Sequence, residues 1–207
     1  MSKLHSVIAV AVCLLTPTVV LPVAGSAWAE GTPVRVRDTV VSLDGSTLVV
    51  HTKDGKDVTV SLKDKCAALA VVKSSMDEIK EGTFIGTATE PQPDGSLRAA
   101  EVVIFPETLR GFAEGHYPWD LGPKSMMTNA TIAQKVQKVD GETVDVTYKG
   151  GEKKITIPSN IPIVGLVPSE HSDIEPGAHV FVPTEKQADG TLLAGAVLFG
   201  KGVVPPM

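Results

Sequence analysis

Apolar and polar residues alternate at period two through Val34, Val36, then Leu48, Val50, then Val58, Val60 and Leu62. That spacing puts one face of an extended chain in a core and the other in water. Asp44-Gly45 and Asp54-Gly55 stand between these runs, where hairpins need residues that tolerate positive φ. Cys66–Val72 is continuously apolar and predicts a strand buried on both faces. Ser74 and Ser75 before Met76–Lys80 predict one short helical turn, capped by serine and closed before Gly82. Two longer strands are expected at Thr83–Glu90 and Ser96–Phe105, with Pro91, Pro93 and Gly95 turning the chain between them.

The same order then recurs. Leu43-Asp44-Gly45-Ser46-Thr47-Leu48 matches Val139-Asp140-Gly141-Glu142-Thr143-Val144 at an offset of 96. Asp77-Glu78-Ile79-Lys80-Glu81-Gly82 matches Ser172-Asp173-Ile174-Glu175-Pro176-Gly177, and Gln92-Pro93-Asp94-Gly95-Ser96-Leu97 matches Gln187-Ala188-Asp189-Gly190-Thr191-Leu192, both at 95. Three ordered matches at near-constant spacing mark an internal repeat. Each unit reads as about six strands with one helical turn, the size and order of a small OB-like β-barrel. A single larger sandwich shared by both repeats is the competing architecture. The expected organisation is a leader at 1–29, a first barrel repeat at 30–106, a strap at 107–129 and a second barrel repeat at 130–207.

The Val-Asp-Gly-x-Thr type hairpin, the Asp-x-Ile-x-x-Gly turn and the Asp-Gly-[Ser/Thr]-Leu entry into the last strand resemble those of exported bacterial proteins with DUF5666-like, OB-like repeats. The resemblance covers about 33–106 and 130–201. It implies a fold and an exported location, and no activity.

The N-terminus agrees with export. Lys3 and His5 precede an apolar stretch from Val7 to about Val23, followed by Ala27-Trp28-Ala29, the signature of a cleaved secretory signal. Pro17 and Pro22 interrupt a run already short for a membrane span. The mature chain would begin at Glu30, and loss of Lys3 moves the net charge from −5 to −6. That balance, with 4% aromatic residues, argues against a nucleic-acid partner. No other apolar stretch is long enough to span a bilayer, so the mature chain is expected to be periplasmic or secreted, and not a permease. Cys66 is then a lone cysteine, without an intramolecular disulfide.

Composition is uneven in one place. Three of the eight mature aromatics, Phe112, Tyr117 and Trp119, lie in the strap, and Trp119 is the only mature tryptophan. Flexible linkers are Gly/Ser-rich or charged, so this segment is expected to pack on something, with Pro118 and Pro123 fixing its path. Two chemistries compete there. Phe112, His116, Tyr117 and Trp119 suit a ligand site. Glu114, His116, Asp120, Met126 and Met127 are a candidate metal set, in which imidazole and carboxylate suit Zn, Mn or Cu(II) and thioether suits Cu(I). No His-x-His or cysteine pair accompanies them.

Elsewhere the bland readings prevail. Cys66 corresponds to Ile161 in the repeat, as a core residue would. Ser169, His171 and Asp173 fall on the capped turn, so their closeness in sequence is no triad. His179 is expected on a strand at the place of Phe84, and His51 in solvent. Asp44, Asp94, Asp140 and Asp189 precede glycines, as turn chemistry requires, and lack the spacing of a calcium loop. No phosphate loop, nucleophile elbow or zinc motif is present. The expected function is a non-enzymatic exported binding or scaffold protein for a protein, peptide or glycan, with periplasmic metal handling as the alternative and an unrecognised enzyme the least favoured.

Overall fold

Twelve strands, one of them seventeen residues long, account for most of the computed structural model, which describes residues 31–138, 141–200 and 202–205. The expected leader and the Val139-Asp140 pair of the second Asp-Gly turn lie outside them. The strands are β1 (Thr32–Asp44), β2 (Thr47–His51), β3 (Asp57–Lys73), β4 (Phe84–Pro91), β5 (Leu97–Ile104), β6 (Gly115–Pro118), β7 (Met126–Lys138), β8 (Gly141–Tyr148), β9 (Gly151–Pro158), β10 (Ile163–Ser169), β11 (His179–Lys186) and β12 (Leu192–Gly200). Three single 3-10 turns, Met76–Glu78, Glu107–Leu109 and His171–Asp173, are the only helical pieces among the described residues.

Local pattern explains most boundaries. The two runs expected at Val58–Leu62 and Cys66–Val72 are one strand, β3, because Lys63-Asp64-Lys65 carries no breaker and stays extended as a solvent-facing bulge. The second repeat has Pro158 and Pro162 in the corresponding stretch, and neither can donate to a ladder. There the element splits into β9 and β10. The first helical turn forms at Met76–Glu78, but Ser75 makes no side-chain cap bond. In the second, Glu170 and Asp173 form a capping box.

The sheet closes on itself twice. One ring runs β1-β2-β3-β12-β11 and back to β1. The other runs β7-β8-β9-β5-β4 and back to β7. In each ring the third and fourth strands as written, β3–β12 and β9–β5, are parallel and the other neighbours antiparallel, the strand arrangement of an OB-type barrel. The two-barrel architecture is therefore present, but neither repeat closes on its own. The first barrel takes three strands from 30–106 and two from 130–207, and the second takes the converse set. The ranges 30–106 and 130–207 therefore do not delimit barrels. The second barrel is contiguous, Phe84–Pro158, and sits inside the halves of the first.

Each barrel has its own core. Val36, Leu48, Val60, Val182 and Phe199 fill the first; Ile85, Val102, Ala130, Val144 and Ile155 fill the second. The Asp-x-Ile-x-x-Gly motif has a visible purpose here. Its isoleucine, Ile174 or Ile79, is buried in the core of the first or second barrel, and its glycine, at φ +86 or +85, turns the chain onward. Cys66 lies in the first core, where burial pushes its thiol up to about 11. It is not a poised nucleophile.

The barrels meet along β3 and β10, which pair antiparallel with Val71 opposite Leu166. Leu69, Val71, Val164, Leu166, Phe181 and Leu198 form a third apolar cluster at this junction.

Candidate functional site

Above that junction the strap crosses from one barrel to the other. Leaving β5, it makes the Glu107–Leu109 turn, then a tight reversal in which Gly111, Ala113 and Gly115 all have positive φ. Ala113, at φ +46, holds a conformation that costs a non-glycine residue energy. The strap next adds β6 to the free edge of β7, pairing Tyr117 with Met127 and His116 with Thr128. From there Trp119 and Asp120 reach the first barrel.

The landing point is β1. Both guanidinium nitrogens Nη1 and Nη2 of Arg37 donate to Asp120, each at 2.8 Å, which with Arg35 nearby holds that carboxyl below the usual range. Arg35 lies flat over the Trp119 ring, 3.8 Å from its centroid. The Trp119 ring also lies 6.1 Å, centroid to centroid, from the tilted Phe181 ring and 6.2 Å from Tyr117 in an edge arrangement. The strap is thus a packed element, as its aromatic content predicts.

Beneath it lies an apolar cavity of about 290 Å³. The strap contributes Phe112, Ala113, Tyr117 and Trp119; the first barrel gives Val34, Arg35, Phe181 and Leu198; the second gives Met127 and Asn129; Leu69 and Leu166 come from the paired β3 and β10. Arg35 is the one charged residue among those that line it. Two lining residues carry buried polar atoms without a partner, Trp119 Nε1 and Asn129 Oδ1. The Asn129 amide nitrogen donates to the Phe112 carbonyl and to the Tyr117 hydroxyl, tying the strap to β7. Burial pushes the Tyr117 phenol up.

The cavity wall is asymmetric: Arg35 and Phe181 stand on the first-barrel side, and Met127 and Asn129 on the second. At Gly86 the absent side chain leaves room for Asn129 and Phe105; a Cβ there would stand 2.7 Å from Asn129 Oδ1.

The sequence-predicted residues divide accordingly. Phe112, Tyr117 and Trp119 share the cavity wall. His116 does not, because alternation along β6 turns it to the opposite face. There its Nδ1 meets Thr128 Oγ1 at 2.8 Å and its ring stacks near Tyr148 at 6.2 Å. Burial and the Lys153 charge lower its pKa. The metal set does not converge. Asp120 is engaged by Arg37, Glu114 Oε1 accepts the Lys149 backbone N–H at 3.0 Å, and Met127 is in the cavity while Met126 is its neighbour along the strand. Among the described residues no three His, Cys, Asp or Glu side chains gather as a metal ion would need.

Other candidates are structural. Ser169 Oγ donates to Asp173, and His171 Nε2 donates to the Cys66 carbonyl at 2.9 Å, so the imidazole is turned to the backbone and the three do not form a Ser–His–Asp relay. His51 is exposed against Asp57, and His179 lies 3.8 Å from Asp38. A larger groove of about 670 Å³ runs past His116, Asp145, Lys153 and Lys154. Its charges answer each other, as in the Lys154–Asp145 pair at 3.1 Å, and the cavity under the strap is the more selective environment.

No family model matches the chain, and no curated protein or solved structure shows significant similarity to it.

Proposed function

We propose that this is an exported, non-enzymatic binding protein whose ligand site is the cavity beneath the strap. One observation carries the reading: an apolar cavity at the junction of two closed barrels, walled by leucine, methionine and aromatic side chains with Arg35 as its one charged residue. Small-ligand sites are typically concave and mostly apolar with few polar groups. The ligand is small. The cavity has about twice the volume of the 150 Å³ apolar cavity that accommodates benzene, so a two-ring body fits. The signal-like N-terminus and the resemblance to exported repeat proteins support the location.

Calorimetric titration of the mature chain with 1-naphthaleneacetamide, a neutral two-ring compound, tests this. Saturable binding is expected in the micromolar range, and Leu198→Phe, which fills the chamber, should abolish it. Absence of binding by the wild type, or equal binding by the filled variant, would move the site away from the strap.

A further inference from the structure

Resting on the cavity reading above, we infer that the ligand is a planar aromatic compound, recognised by two separate groups of aromatic side chains in the cavity wall.

Aromatic residues are scarce in this chain, and most of them gather here. Eight stand beyond the expected leader. Phe84 and Phe199 are fully buried, and Tyr148 lies beside His116, away from the cavity. The other five, Phe105, Phe112, Tyr117, Trp119 and Phe181, all line the chamber.

Their mutual contacts fall into two groups. Phe105 meets Phe84 at 5.3 Å and Phe112 at 6.2 Å. Trp119 meets Tyr117 at 6.2 Å and Phe181 at 6.1 Å. Among the described residues no ring contact joins the first group to the second, yet both line one cavity. Four of the five rings keep surface that a ligand can cover: Phe112 is exposed, and Phe105, Tyr117 and Trp119 are half-buried. Phe181 is buried and supports Trp119.

A saturated ligand gains from such a wall only the burial of its own surface. An aromatic one adds the attraction between ring edges and ring faces, which strengthens binding by about two- to ten-fold for each ring pair. Met127, in the same wall, brings a thioether, whose sulfur makes favourable contacts with aromatic rings. Leu69, Leu166 and Leu198 complete the wall and do not discriminate between the two kinds of ligand. The selective part of the lining is therefore aromatic and sulfur-bearing, and it selects a flat ring system.

The test compares 1-naphthaleneacetamide with its saturated analogue, 1-decalinacetamide, on the full mature chain. The aromatic compound is expected to bind about ten-fold more tightly, the gain from one or two ring pairs. The smaller pair, phenylacetamide and cyclohexylacetamide, should keep the same order, which excludes the thickness of the saturated rings as the cause. The Met127 methyl resonance should shift by ring current with the aromatic compound and not with the saturated one. In Phe112→Leu, an exposed position that stays apolar, the preference should fall several-fold. Binding of none of the compounds overturns the cavity reading and the aromatic ligand together. Equal binding within each pair, or tighter binding of the saturated member, leaves the cavity reading standing and overturns the aromatic ligand. A preference unchanged by Phe112→Leu, or a Met127 resonance that does not move, overturns recognition by these rings. Should Phe112→Leu fail to fold, the two compound pairs and the wild-type methyl resonance still decide.

Discussion

Gly86 is a position where the absence of a side chain is used. The atoms nearest a Cβ there are Asn129 Oδ1 at 2.7 Å and the Phe105 ring at 2.9 Å, both too close for ordinary contact. Gly86→Ala must push Asn129 off its bonds to Phe112 and Tyr117. A loss of about 1–3 kcal/mol is expected in urea unfolding, and a Gly86→Ala variant as stable as the wild type would show that β7 can yield. His116 gives a pH signature. Its folded pKa lies below the ordinary 6.5, so the fold favours neutral imidazole. The stability it contributes is present above its unfolded pKa and is lost as pH falls through the folded value. The slope of stability against pH just below 6.5 should flatten in His116→Gln. Arg35 left little trace in the sequence. Arg-Val-Arg reads as ordinary alternation on a solvated face, and only the packing of the strap reveals Arg35 over the Trp119 ring. The aromatics of the strap were legible because scarcity elsewhere made their clustering conspicuous.

At the scale of elements the strap has two anchors of different strength. The Arg37–Asp120 pair is bidentate but solvent-facing, so Asp120→Asn should cost no more than about 1 kcal/mol. Trp119 is partly buried between Arg35 and Phe181, and Trp119→Ala should cost about 3 kcal/mol, the low end for a large aromatic. Thermal melts of the two variants check the order; a costlier Asp120→Asn would make the ion pair the main clamp. Strands themselves were readable from period-two alternation and from turn residues. The fusion of two predicted strands into β3 was not, since charged Lys63-Asp64-Lys65 resembles a loop when its exposure on a bulge is unknown.

At the scale of the molecule, the exchange of strands between repeats could not be read from the chain. The repeats match at the turns, so β4 offers the same alternating face to β1 as to β7, and both pairings satisfy the pattern. After β3, which pairs with β10, the chain passes to the other barrel. The two barrels should then differ in how they fail. Phe199→Ala removes a fully buried ring from the first core, for about 3–5 kcal/mol. Hydrogen exchange should show protection lost in β1–β3, β11 and β12 and largely kept in β4, β5 and β7–β9. Uniform loss would show that the β3–β10 junction couples the barrels into one unit.

The nesting also sets a timetable. A chain that leaves a ribosome or a translocation channel N-terminus first delivers β1, β2 and β3 early, with Val36, Leu48 and Val60 uncovered. The strands that shelter them, β11 and β12, come last. The inner barrel has all its strands once Pro158 has emerged. The outer one must hold three sticky strands apart for more than a hundred residues of further synthesis, and that waiting interval is when this protein most needs a chaperone.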